Sequence, residues 1–355
     1  MKSNKKPTTE LYQQRPWDKN DNSVWLASTI SFCRNIEKFK FPGKLEGERQ
    51  KQIVNALSKA LLSSEHLKDP LLMRADELSH LQKEFLVEHF LSQQSFQSAH
   101  SNEAFLIDKS GEFLASMNIH DHVNLQLIDC RGELESTWNR LLSIDTALGK
   151  QIAYAFSQKY GFLSADFNNC GTGLNVAVFL QVPGLVHIEK IDDVLEKITD
   201  DSLTISGIQG NPTEIIGDIL MVQNNYTLGV TEENIIASLR AFTTKILIEE
   251  NGARSKILSD GNGEIKDKVS RAFGILMHSY QIEAIEALNA LSLLKLGLEL
   301  KWLEGITLRE INGLFFNCRR AHLMHQCGED LKQEEILHKR AEFIHASLKN
   351  VKLTI

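Results

Sequence analysis

Hydrophobic residues recur at two different periods along this chain, and the change of period divides it. Between residues 44 and 98, Ile53, Leu57, Leu61 and Leu62, then Leu81, Phe85, Val87 and Phe90, fall at helical spacing. From Phe105 the pattern shortens. AFLIDKSGEFLASMNI reads as strand, turn at Ser110-Gly111, and strand. LESTWNRLLSIDTALGKQIAYAF reads as a helix, LNVAVFLQVPGLV as a β-prone run ending at Pro183, and IDDVLEKITDD as a short helix. LTISGI and DILMVQNN read as further strands. Thr231 opens the next helix as its N-cap, with Glu232 and Glu233 at the positive end. This mixture predicts an α+β domain on a largely antiparallel sheet, ending near residue 250. ILSDGNGEIKDK (257–268) reads as a linker or loop. Beyond it the spacing is helical: one or two long helices in 269–306, then TLREINGLFFNCRRAHLMHQ and QEEILHKRAEFIHASLKN. These predict a separate helical domain. Residues 1–22, rich in Lys, Asn, Gln and Thr, read as a loose tail.

Of 355 residues 42% are hydrophobic, enough for a packed core. The net charge of −7 argues against broad binding to nucleic acid or anionic membranes. No apolar run is long enough to cross a bilayer, and the polar start, Met1 to Arg15, has no signal-peptide core. The five cysteines are scattered with no C-x-x-C pair, so a reducing cytoplasm is the expected location. No H-E-x-x-H motif occurs among the histidines; His120 and His122 could share one side of a strand, but such a pair is more often surface or hydrogen-bonded than metal-binding. CGTGLN is neither a P-loop nor a dinucleotide fingerprint, and by itself describes a tight turn feeding a buried strand.

Several segments, in order from about residue 24 to 350, resemble the ATP:guanido phosphotransferase family, and most closely its bacterial protein-arginine kinase branch. WLASTISFCRNIEKFKFP (25–42) is similar to the family's S-S-R-I-R-L-A-R-N segment and following F-P. SMNIHDHVNLQ (116–126) is similar to its I-N-E-E-D-H-L-R-I-Q. GFLSADFNNCGTGLNVAVFLQVP (161–183) is similar to its C-P-T-N-x-G-T-G-L-R-A-S-V strand and loop, and GNPTEIIGDILMVQNNYTLG (210–229) to the segment ending N-Q-x-T-L-G. ARSKIL, DKVSRAFGIL and LLKLGLEL extend the likeness into the helical region.

The resemblance implies a guanido-kinase-like antiparallel sheet flanked by helices over 23–256, and an all-helical C-terminal domain over 257–355 that dimerises. It also implies in-line transfer of the ATP γ-phosphoryl to a guanidinium, with arginines and Mg²⁺ neutralising phosphate and carboxylates orienting the acceptor. The positions that carry phosphate-facing arginines in the family hold Thr29, Ser31, Asn124, Asn175 and Ser206 here. The glutamate positions hold Ile119, His120 and Asn211, while Asp121 and Glu214 match. Arg34, His122 and Arg254 remain as residual contacts to nucleotide, although a structural role is the better reading of Arg34. Gly171, Gly173, Gly217, Thr227 and Gly229, which shape backbone, are kept. The expectation is a kinase scaffold with catalysis absent or severely reduced, acting as a regulatory or binding subunit without cofactor. The alternative is an active protein-arginine kinase using Mg-ATP, in which Asp121, Asp166, Glu214 and Arg254 take over roles. A homodimer and a small zinc-binding activator-like protein are the partners the resemblance implies.

Overall fold

The computed structural model of the protein describes residues 14–92, 96–198, 200–211, 214–327 and 331–355. Twelve strands are described: β1 (Trp25–Arg34), β2 (Leu71–Arg74), β3 (Ala104–Ile107), β4 (Phe113–Met117), β5 (Val123–Asp129), β6 (Phe156–Ser157), β7 (Gly161–Phe162), β8 (Leu174–Gln181), β9 (Leu203–Gly207), β10 (Ile219–Asn224), β11 (Leu303–Glu304) and β12 (Lys352–Leu353). The helices are α1 (Gly47–Leu62), α2 (His80–His89), α3 (Leu134–Gly149), α4 (Pro183–His187), α5 (Ile191–Lys197), α6 (Glu232–Ser259), α7 (Gly263–His278), α8 (Ala284–Glu299), α9 (Leu308–Asn317), α10 (Arg320–Cys327) and α11 (Gln333–Leu348). Eight strands form one antiparallel sheet, ordered β2-β3-β4-β5-β1-β8-β10-β9, with β1 at its centre.

Alternation along the strands gives the sheet two unlike faces. Ile30 and Phe32 of β1, Leu125 and Leu127 of β5, and Val176 and Val178 of β8 point to one face, where α1, α3 and α6 bury them. On the other face Ala27, Ile128, Phe179 and Met221 share a core with Leu291 and Leu294 of α8 and Phe316 of α9. The remainder of that face is polar.

The α+β architecture matches the expectation, with differences in detail. The linker or loop expected at 257–268 is confined to residues 260–262: α6 runs to Ser259 and Asn262 caps α7 by accepting a hydrogen bond from the Ile265 amide. Only a three-residue turn separates the helices. The helical region packs on the sheet, its buried face continuous with it. From residue 14 the tail is not loose. Trp17 is fully buried and stacks on Phe316 at 4.3 Å, and the Asn20 amide donates to the carbonyls of Trp25 and Leu26. Residues 1–13 lie outside the described residues. Pro183, expected as a strand end, also starts α4, where a missing N–H costs nothing. Thr231 caps α6 as expected, accepting from the Asn234 amide.

Candidate active site

The polar half of the second sheet face floors a cavity of about 210 Å³. Its floor comes from cross-strand rows: Ser31 lies between Gln126 and Asn175, and Cys33 beside Asn124. Thr29, Ser31, Asn124 and Asn175 therefore converge on one space, joined by Gln126, Asn169, Gln223 and Asn224. Among the described residues no charged side chain lines it. The wall is held by neutral bonds. The Cys33 thiol donates to Asn124 Oδ1 at 3.4 Å and accepts from Asn175 Nδ2 at 3.7 Å. Burial, with the nearby Asp121 charge, pushes this thiol up to about 12, so it stays protonated and unreactive. Ser31 Oγ donates to the Asn175 carbonyl at 3.4 Å. Ser206 does not line the cavity. It sits opposite Met221 on β9, buried, with no hydrogen-bond partner for its hydroxyl among the described residues.

The charged residues expected near the site are engaged in the frame instead. Arg34 points to the opposite face of β1 and is 1% exposed. Its guanidinium grips Asp145 of α3 (Nη2 to Oδ2, 2.8 Å) and donates to the carbonyls of Cys33 and Thr172. It also lies 3.8 Å over the Phe162 ring. The expectation of a residual nucleotide contact is thus corrected for Arg34. Arg254 is corrected in the same way: buried, it pairs with Glu250 (2.7 Å) and Glu299 (3.3 Å) and donates to the Ser23 carbonyl. His122 accepts from the Ile36 amide at Nδ1 and donates from Nε2 to the Lys40 carbonyl; burial pushes its pKa down. It is therefore spent as a neutral clamp, and the exposed His120 is left without it as a metal partner. Among the described residues no metal-ligand cluster forms.

Asp121 accepts from Asn35, from the Ser164 hydroxyl and from the Ala165 amide, which fixes the loop beside the site. Ile119 is half-buried against the core. Asn211 and Glu214, after β9, are both exposed, and the Asn211 carbonyl accepts from the Gly207 amide. None of these lines the cavity. The kept glycines have steric reasons. At Gly171 (φ +106°) a Cβ would meet the Thr227 carbonyl at 2.1 Å, and at Gly173 (φ +63°) it would meet Arg34 Nη1 at 2.7 Å.

Residues 49–253 match the profile described as ATP:guanido phosphotransferase, C-terminal catalytic domain, and residues 262–354 that of the protein-arginine kinase McsB C-terminal domain. A protein-arginine kinase of Chlamydia pneumoniae is 34% identical over 332 residues, 91% of each chain. The chain belongs to the ATP:guanido phosphotransferase family. Within this family its curated relatives are protein-arginine kinases; that of Halothermothrix orenii is 32% identical over 92% of this chain and 94% of its own. Two solved guanidino kinases share the phosphotransferase fold. Lombricine kinase superposes with TM-score 0.57 at 19% identity, covering 71% of both chains. The duplicated taurocyamine kinase of Schistosoma mansoni gives 0.57 at 22%, covering 64% of this chain and 33% of that one.

Sequence reasoning found four of the cavity residues and missed Gln126, Gln223 and Asn224. For Gln126 the signal was alternation, Asn124 and Gln126 between the apolar Val123, Leu125 and Leu127 of β5; Gln223 and Asn224 are adjacent at the end of β10 and carry no such pattern. It also missed Asp145 as the partner of Arg34, because a lone Asp within an amphipathic helix announces nothing until the strand beneath is placed.

Proposed function

We propose that this phosphotransferase-family protein is a protein-arginine kinase homologue with a degenerate site, serving as a regulatory or binding subunit. The observation that carries the reading is the uncharged wall of the cavity on which Thr29, Ser31, Asn124 and Asn175 converge. Four negative charges of ATP entering a partly desolvated pocket need compensation that hydroxyls and amides do not provide. A single arginine in phosphoryl transfer is worth on the order of 10³-fold or more in rate. The alternative, an active kinase transferring the γ-phosphoryl of Mg-ATP to arginine side chains, draws support from the relatives' activity name. It needs Asp121, Asp166, Glu214 or Arg254 to act, and Asp121 and Arg254 are already fully partnered.

The deciding experiment is a titration with ATP, with and without Mg²⁺, by calorimetry and by melting temperature. Ligand at 100 times Kd stabilises by about 2.7 kcal/mol, a visible upward shift. The expected result is no shift at millimolar Mg-ATP and no phosphoarginine on protein substrates. Either signal overturns the reading. The partners that fit it are a second copy of the chain and a small zinc-binding activator-like protein.

A further inference from the structure

A second cavity lies where the sheet meets the helical layer. It encloses about 220 Å³ and is lined by Leu26 and Ile219 from the sheet, Leu288 of α8, Phe315 of α9 and, at its mouth, Arg319. Its character is the reverse of the first: an apolar interior with a cation at the rim. Arg319 donates one N–H to the Glu88 carbonyl at 3.3 Å and, among the described residues, forms no ion pair. Arg320 beside it is already paired with Glu84. The Glu88 carboxylate lies in the same wall, accepting from the amides of Ala321 (3.0 Å) and His322 (3.3 Å); burial pushes its pKa up and the nearby Arg319 charge pulls it down. Among the described residues the guanidinium makes no further hydrogen bond beside this hydrocarbon. Apolar clefts at the junction of two layers, with one or two polar anchors, are where small molecules bind.

We infer that this cavity is a binding site for a small apolar ligand carrying one carboxylate, with its hydrocarbon between sheet and helices and its head on Arg319. Guanidinium and carboxylate match in a planar, two-bonded pair, and the surrounding apolar wall strengthens it. The limited volume sets the size at a short acyl chain or a single substituted ring. Occupancy would also be felt in the polar cavity. Leu91 lines both spaces. It holds a left-handed backbone at φ +46°, uncommon for a branched side chain, so its position depends on what packs on either side.

Octanoate is the probe, octanol its uncharged control, and the full-length protein the receptor, with binding followed by calorimetry. Octanoate is expected to bind, octanol more weakly. Arg319→Gln should weaken octanoate about tenfold or more, the scale of a hydrogen bond to a charged group, while leaving octanol unchanged. Ala284→Phe, which fills the cavity from α8, should abolish both. Should that variant fail to fold, the Arg319→Gln comparison still decides. The proposal is overturned if the parent does not bind octanoate, if it binds octanol as tightly, if Arg319→Gln binds octanoate as well as the parent, or if a folded Ala284→Phe binds it undiminished.

Discussion

Arg34 survives in this chain because the fold needs it. Its guanidinium joins β1 to α3 through Asp145 and to the Gly171–Gly173 turn through the Thr172 carbonyl, with both partners nearly inaccessible. Breaking a buried pair by removing one partner leaves a stranded charge. Arg34→Met is therefore expected to cost about 3–5 kcal/mol, read as a fall in the urea midpoint. Replacing both partners, Arg34→Met with Asp145→Leu, should recover much of that loss, and a double variant no more stable than the single would show that the bond to Thr172 dominates. The cavity positions predict the opposite behaviour. They carry neutral hydrogen bonds worth about 0.5–1.5 kcal/mol each, so changing them should disturb folding little. Arginine at the cavity positions 29, 31, 124 and 175 is expected to give measurable ATP affinity by calorimetry, with activity still low because catalytic geometry must hold to about half an ångström. A folded variant with no gain in affinity would show that the cavity has changed shape as well as charge.

At the scale of elements, the strands were the most legible part of the sequence, since a two-residue period marks both a strand and its buried face. The ends were less so. GKQIAYAF was read as the tail of α3, yet that helix stops at Gly149, and Phe156 begins the β6–β7 hairpin that closes over Gly171. Gly149 is a local stop signal, but the hairpin that follows has none: the contact with the Gly171 turn fixes it, and that lies beyond any sequence window. Lys295 was equally silent. It lies at a helical position among leucines in α8, wholly buried, its amine without a hydrogen-bond partner among the described residues and near Arg254, Glu250 and Glu299. Burial, helped by the Arg254 charge, pulls its pKa down to about 7 from 10.5. A lysine with a depressed folded pKa is neutral in the native state and protonated in the unfolded state throughout that window. The unfolded state therefore binds the extra proton, and stability rises with pH from about 7 towards 10.5. The slope is at most about 1.4 kcal/mol per pH unit. Lys295→Met should remove that slope and raise the urea midpoint most at pH 7. Parallel pH profiles for parent and variant would mean that the amine is charged in place.

The whole molecule carries one further expectation. Because the helical layer and one sheet face share a core, urea should unfold the protein in a single transition seen alike by far-ultraviolet dichroism and tryptophan fluorescence. Two separated transitions would mark the helical region as the independent domain that the sequence suggested. Exposed Tyr280 and Ile285 leave apolar surface on the helical layer, which fits a homodimer formed there; a monomeric mass by light scattering at micromolar concentration would count against it. The alternation of β1 reaches furthest. Thr29, Ser31 and Cys33 face the cavity, while Ile30, Phe32 and Arg34 face the core, so neighbouring residues answer to different selective pressures. Mutations that erase chemistry on one side leave folding on the other untouched. A lineage can therefore drift from catalysis to a new role in single substitutions, each yielding a folded protein, with no unstable ancestor in between.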